Sequence, residues 1–409
     1  MNIRMDKLIK SITTALDIVE GELLGASTHH GKRIASLSAA MGRYLGMNDA
    51  AVMGLTTCAL FHDNALTEYI FSERQDGIHD PAMKLHCKIG QNNVDTLEIH
   101  ANIHGFVLYH HERADGAGPY KKKVGQYPMG AEIIHIADSI DVANHLQRFP
   151  ASRLPEIREY IVGNTGLDYT RRAADAMLNV LDEEMLFSLR DDHIMETAER
   201  FMPPWTVDIE KGVILNLAGF ISRIIDYKSV FTRRHSTQIA NKAWLMGGYY
   251  GYDSILRTKV YLAASFHDIG KLATPVMILE KPGKLTDAEF RIIQDHARFT
   301  YELLKDINGF EEICDWASNH HEKLDGTGYS FGKKADELDF NSRLIACLDV
   351  YQAVSEERPY HPPRDHAATM EILYRMGDQG ALDSAIIKDL NEVLAEYSGK
   401  DILPPVKTW

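Results

Sequence analysis

The sequence predicts an all-α chain built as two tandem helical bundles, and three observations carry that prediction. Apolar residues recur three and four apart in LSAAMGRYLGM (37–47), LAGFISRIIDY (217–227), LRTKVYLAASFHD (256–268) and FRIIQDHARFTYELLKDI (290–307), the spacing that gathers them on one helix face. Strand-like alternation bounded by hairpin dipeptides is scarce. The second half of the chain repeats the first.

The repeat is read in chain order. HHGKRIA (29–35) aligns with RHSTQIA (234–240), so His30 meets His235; at the same shift of 205 residues FHDNAL (61–66) meets FHDIGK (266–271). Further on the shift is 210, where His86 meets His296 and His110-His111 meet His320-His321; at 211 Asp138 meets Asp349. The tails GNTGLDYTRRAADAML and GDQGALDSAIIKDLNEVL agree loosely. The expected domains are 1–205 and 206–409, joined near FMPPWTVD, where Pro203-Pro204 would stop a helix. Each half is expected to be a bundle of about five to seven helices. One helix start is well marked: in KPGKLTDAEF, Thr286 and Glu289 form a capping box after a Pro-Gly turn, and the helix goes on to carry His296. The first copy is five residues shorter between His62 and His86 and has no such turn.

Composition narrows the function. Hydrophobic content of 45% and charged content of 25% allow a packed core in each half, and a net charge of −14 argues against a nucleic-acid polymer as partner. The four cysteines (Cys58, Cys87, Cys314, Cys347) are far apart and read as reduced core thiols of a cytosolic protein. MNIRMDKLIKS lacks the apolar stretch of a signal peptide, and no apolar run approaches the roughly 18 residues that span a bilayer. The expectation is therefore a cytoplasmic chain with no membrane partner.

Ten of the nineteen histidines occupy matched positions. Matched leucines would show common ancestry; matched His and Asp also indicate a shared task. In the second half the candidates are His235, His267, Asp268, His296, His320, His321 and Asp349. That is too many groups for one tetrahedral zinc, and it suits two octahedral or five-coordinate ions. Two ions about 3.5–4 Å apart need a bridging carboxylate, and Asp268, directly after a ligand histidine, is the natural bridge. His320 and His321 diverge by roughly 100° on a helix, so both serve one site only at a helix end or with one swung inward. Gly326 and Gly328 would permit the positive φ of a tight exit turn there. Each part alone is weak, since a helix C-cap would also explain HH followed by DG. The ordered set, repeated with an identical first spacing of 32 residues, is specific.

These residues resemble the HD phosphohydrolase superfamily, and the second half is similar to its HD-GYP branch: His235-Ser236, HDIGK (267–271), KPGKLT (281–286), His296, HHEKLDGTGY (320–329), Asp349 and ERPY (357–360). The resemblance is close over about 230–365 and looser over 25–140. It implies a bacterial-type, metal-dependent phosphodiesterase that opens cyclic di-GMP or cyclic GMP-AMP with two or three iron or manganese ions. It assigns His235, His267, Asp268 and Asp349 to one ion and Asp268, His296, His320 and His321 to the other. It makes His267, Asp268 and Lys271 catalytic, with Lys271 beside the scissile phosphate and Tyr329 and Arg358 on the dinucleotide.

Three departures qualify the resemblance. Phe231 stands where trinuclear members place a Glu, so two divalent ions are expected. Ser330 replaces the Pro of GYP, and His361 replaces a second basic residue after the RPY-like stretch. The first half keeps a full second candidate metal set, His30, His62, Asp63, His86, His110, His111 and Asp138, but Leu66 replaces the lysine and GYP becomes Gly118-Pro119-Tyr120. Without a cation near the phosphate, electrostatic stabilisation is lost. The first half is thus expected to be a regulatory or dimerising copy with metals of its own, or a site for another phosphoester. The rival readings are a hydrolase of a nucleoside monophosphate or guanosine polyphosphate, and a non-catalytic dinucleotide sensor. The expected partners are the cyclic dinucleotide and a second copy of the chain.

Overall fold

The structure, a computed structural model, describes residues 1–24, 28–66, 80–97, 99, 102–210, 212–229, 234–356, 363–397 and 399–402. Arg358, Phe231 and His361 lie outside the described residues. The chain divides into two compact units, Met5–Trp205 and Met1–Arg4 with Thr206–Trp409. The two strands among the described residues, β1 (Asn2–Arg4) and β2 (Thr206–Asp208), pair antiparallel with Ile3 opposite Val207. The first four residues therefore belong to the second unit.

The first unit contains α1 (Met5–Leu24), α2 (His30–Tyr44), α3 (Asp49–Leu60), α4 (Asp80–Asp95), α5 (Met129–Asn144), α6 (Leu154–Asn164), α7 (Arg171–Val180), α8 (Glu183–Ser188) and α9 (Ile194–Phe201). The second contains α10 (Gly212–Tyr227), α11 (His235–Tyr249), α12 (Ser254–Phe266), α13 (Val276–Leu279), α14 (Asp287–Leu304), α15 (Glu311–Ser318), α16 (Phe340–Ser355), α17 (His366–Asp378) and α18 (Ser384–Leu394). Each unit thus has nine helices among the described residues, more than the expected five to seven. The extra ones are short; α8 has six residues and α13 four, too few for an apolar period to show.

In each unit one helix is central. α2 packs on α3, α5, α7 and α9, and α11 packs on α10, α12 and α16. Burial on all sides forces the charges of α2 into pairs: Lys32 Nζ lies 2.8 Å from Asp17 Oδ2, and Arg33 Nε 2.7 Å from Asp141 Oδ1. Both central helices begin at the matched histidine, His30 or His235. A carboxylate from the preceding helix accepts the free N–H groups of that first turn: Asp17 from Gly31 (3.0 Å), Asp226 from Ser236 (2.9 Å) and Thr237 (3.2 Å). The capping box of α14 is present, with Thr286 N donating to Glu289 Oε2 at 2.7 Å. All four cysteines are buried free thiols. No helix among the described residues is long and apolar enough to cross a membrane.

Candidate metal centre

In the second unit the seven groups converge from five places in the chain. His235 opens α11; His267 and Asp268 follow α12; His296 projects from the middle of α14; His320 and His321 follow α15; Asp349 lies on α16. The histidine pair thus sits just past a helix end, where both rings can turn inward.

Asp268 spans two groups of imidazoles. Its Oδ2 lies 3.2 Å from His267 Nε2 and 3.7 Å from His235 Nε2, while Oδ1 lies 3.3 Å from His296 Nε2 and 3.7 Å from His320 Nε2. Asp349 Oδ1 stands 3.1 Å from His235 Nε2, and its Oδ2 3.6 Å from His321 Nδ1. His235, His267 and Asp268 form one compact donor group and His296, His320 and His321 another.

The backbone fixes the tautomers. His267 Nδ1 donates to the Ala264 carbonyl (2.7 Å), His296 Nδ1 to Ile293 (2.5 Å) and His320 Nδ1 to Ala317 (2.6 Å). A carbonyl only accepts, so the proton sits on Nδ1 and each Nε2 aims a lone pair inward. His267 Nε2 and Asp268 Oδ1 have no hydrogen-bond partner. His296 Nε2 and His320 Nε2 face each other at 3.0 Å. Two such lone pairs repel unless a cation lies between them, and a cation about 2.1 Å from each nitrogen, with ligands at right angles, sets them about 3.0 Å apart. The residues present fit a divalent metal centre on that ground.

Electrostatics agree. Burial by itself would raise the Asp268 carboxyl, but His267 and Lys271 hold it well below the usual carboxylate range. Burial likewise opposes ionisation of Asp349, and His235 and His321 hold it well below. Burial and the neighbouring rings push His320 well down, and burial pushes His321 down to about 3 despite Asp349. The carboxylates are thus charged, and His320 and His321 neutral, at neutral pH.

Lys271 Nζ lies 2.5 Å from Asp268 Oδ2 and is partly exposed. The Tyr329 ring stands 4.6 Å from that of His321. Its loop is organised by Glu322, whose buried carboxylate accepts N–H groups from Ser330 (3.0 Å), Phe331 (2.7 Å), Gly332 (3.2 Å) and Lys333 (3.0 Å). Gly326 has φ +76°, as the exit turn requires. Gly328 has no positive φ; it is needed for room, because a Cβ there would stand 2.5 Å from Glu322 Cα.

The first unit repeats the arrangement. Asp63 Oδ2 lies 3.6 Å from His62 Nε2, and Oδ1 lies 3.0 Å from His86 Nε2 and 3.7 Å from His110 Nε2. Asp138 Oδ1 lies 3.2 Å from His30 Nε2. His62 and His110 donate Nδ1–H to Ala59 (2.8 Å) and Val107 (2.6 Å), leaving both Nε2 atoms without a hydrogen-bond partner. The donor groups are His30, His62, Asp138 and His86, Cys87, His110, His111. Leu66 is buried where Lys271 stands. Pro119 takes the position of Tyr329, and the Tyr120 hydroxyl is used on the Lys84 carbonyl (2.7 Å). Glu112 plays the part of Glu322, accepting from Tyr120 and Lys122, each at 2.6 Å.

Sequence reasoning missed the groups behind the first histidine. His30 Nδ1 meets Asp141 at 2.6 Å, and His235 Nδ1 meets Glu356 at 2.9 Å. For Asp141 the signal was present, because it lies three residues after Asp138 on the same helix face, whereas Glu356 lies just past the end of α16. It also missed Cys87, whose Sγ is 4.0 Å from His110 Nδ1, and whose matched residue is Ala297.

Comparison with known proteins follows the same lines. Residues 219–386 match the HD domain family model. The chain is 26% identical over 423 positions to the 3'3'-cGAMP-specific phosphodiesterase 1 of Vibrio cholerae, covering 100% of this chain and 96% of that protein. It is 29% identical over 293 residues to the 3'3'-cGAMP-specific phosphodiesterase 3 of the same organism, covering 70% of this chain and 63% of that protein. A cyclic di-GMP phosphodiesterase of Pseudomonas aeruginosa is 43% identical over 138 residues, 33% of each chain. A crystal structure of a cyclic GMP-AMP specific phosphodiesterase of V. cholerae shares the fold, with a TM-score of 0.66 at 21% identity over 96% of this chain and 98% of that one. With the matched His and Asp sets and the shared fold in view, residues 219–386 are an HD domain, and the chain along its whole length is similar to phosphodiesterases of the HD-GYP type.

Proposed function

We propose that the second unit hydrolyses a cyclic dinucleotide, of the cyclic GMP-AMP or cyclic di-GMP class, at a centre of two divalent ions, iron or manganese. The observation that carries this reading is Asp268, whose two oxygens each face a separate imidazole group, with His296 and His320 turning lone pairs on one another at 3.0 Å. HD phosphodiesterases are metal-dependent, and the named activities of the relatives supply the substrate class.

His235, His267, Asp268 and Asp349 would hold one ion and Asp268, His296, His320 and His321 the other. Bound there, divalent ions acidify water and draw charge from a phosphate. Lys271, beside the Asp268 carboxylate, would add a fixed positive charge next to the reacting phosphodiester. The Tyr329 ring offers an apolar face to a base, and Arg358 is assigned the second phosphate, where its fork gives two hydrogen bonds. Hydrolysis adds one water across a P–O bond, leaving a phosphomonoester and a free ribose hydroxyl. The first unit, with Leu66 for Lys271 and Pro119 for Tyr329, is read as a regulatory or second metal-binding copy.

Metal analysis of the purified chain, with a cleavage panel of cyclic dinucleotides, nucleoside monophosphates and guanosine polyphosphates under Mn²⁺ or anaerobic Fe²⁺, tests this. Cyclic GMP-AMP or cyclic di-GMP should be opened. Turnover confined to the other substrates, or binding without cleavage, overturns the assignment.

A further inference from the structure

One aromatic ring beside the second unit's centre has a place that neither metal binding nor the Glu322 loop accounts for. Phe290, near the start of α14, is 47% exposed, so a large apolar face stays open to water. Single exposed rings are common on protein surfaces, and exposure by itself decides nothing. Its neighbours do. The Phe290 ring lies 6.4 Å from that of Tyr329, edge to face at 75°, and the Tyr329 ring lies 4.6 Å from His321 and 6.5 Å from His296. The rings thus form a series that runs outward from the imidazoles. Phe290 precedes His296 by six residues on one helix, which sets it roughly 9 Å further along the axis. The loop is fixed against that helix, because Ser330 Oγ donates to the Gln294 carbonyl at 3.4 Å.

The two copies separate this series from packing. The first unit keeps the matched histidines and the loop tie, with Glu112 for Glu322. It does not keep the rings. At the shift of 210 that pairs His296 with His86, Tyr329 meets Pro119, and Phe290 meets Asp80, the first residue of α4. The same copy has Leu66 for Lys271. Rings that served only to seat the loop would be retained with the loop. Rings and lysine lost together point to a molecule bound by one copy and not by the other.

We infer that Phe290 is a stacking platform for one nucleobase of the substrate, the base further from the metal centre, with Tyr329 carrying the nearer one. The inference rests on reading the second unit as a cyclic-dinucleotide hydrolase. Such a substrate carries two flat bases, and an aromatic face accepts any base because each has a π-face. The full chain with Mn²⁺ is assayed as parent, Phe290→Leu and Phe290→Trp. The substrates are cyclic GMP-AMP, cyclic di-GMP and bis(p-nitrophenyl) phosphate, a phosphodiester without nucleobases. Phe290→Leu should raise KM for the cyclic dinucleotides by about tenfold or more, the loss expected for one stacked base. Its kcat should stay within about twofold, as when binding common to ground and transition states is removed. Metal content and bis(p-nitrophenyl) phosphate hydrolysis should match the parent, and Phe290→Trp should restore the parent KM. An unchanged KM in Phe290→Leu overturns the inference and leaves the hydrolase reading standing. So does an equal loss of metal or of bis(p-nitrophenyl) phosphate hydrolysis, the mark of a structural role. A parent that opens no cyclic dinucleotide overturns the hydrolase reading, and the role of Phe290 with it.

Discussion

At Asp268 one side chain supports two imidazole groups and a lysine, so substitutions around it have separable effects. Asp268→Ala leaves both imidazole groups without their shared carboxylate; turnover and metal retention in the second unit should both be lost, read by product formation and metal content. Lys271→Ala removes charge near the substrate without removing a metal donor. Its kcat should fall by about 10²–10³-fold, the usual loss for one electrostatic stabiliser, with metal content unchanged. In the first unit, His30 is held well above the ordinary imidazole range, because Asp138 and Asp141 outweigh the opposing effect of burial. A cation at its Nε2 must displace that proton. Mn²⁺ binding to the first unit should therefore tighten as pH rises toward the raised value and release a proton, which calorimetry in buffers of different ionisation enthalpy would measure.

Between elements, the two copies solve one packing problem in opposite ways. In the second unit the turn after Asp268 lies against α14, where a Cβ on Gly270 would stand 1.9 Å from the His296 carbonyl oxygen. Facing it, Thr300 Oγ1 accepts from Gly270 N at 3.1 Å and donates to the His267 carbonyl at 3.0 Å. In the first unit the matched residues are Ala65 and Gly90. The glycine has moved to the helix, and Asn64 bridges the gap with Nδ2 donating to the Gly90 carbonyl at 3.1 Å. Gly270→Ala should force the turn and α14 apart, destabilising the second unit by more than about 3 kcal/mol and lowering metal retention, as thermal unfolding and metal analysis would report. Thr300→Ala keeps the room but strands a buried N–H and C=O, and should cost about 1–3 kcal/mol. Glu322 acts at the same scale, tying one loop by four N–H groups beneath Tyr329.

For the whole molecule, two units with complete donor sets but different surroundings imply separable functions. Asp63→Ala should leave cyclic dinucleotide hydrolysis by the second unit within a few-fold of the parent, whereas Asp268→Ala abolishes it. Loss of turnover in Asp63→Ala alone would move catalysis to the first unit. Chelation should lower the melting temperature of the chain, because inward lone pairs and buried carboxylates lose the cation that offsets their repulsion.

The sequence by itself determined the helical class, the repeat and the fourteen matched His and Asp residues, because helical period and donor chemistry are written in local spacing and residue type. It also showed, through Leu66 and Gly118-Pro119-Tyr120, that the copies are chemically unequal. Only the tertiary structure decided which oxygen of Asp268 faces which histidines, and that His267, His296 and His320 present Nε2. Those outcomes depend on backbone carbonyls three residues before each histidine and on helices far apart in the chain. It alone revealed Asp141 and Glu356 behind His30 and His235, since those contacts are made only when segments far apart in the chain pack together. It also reassigned Gly328 from a positive-φ hinge to a point of close approach, because the neighbour that excludes a Cβ is set by how the loop folds back on Glu322.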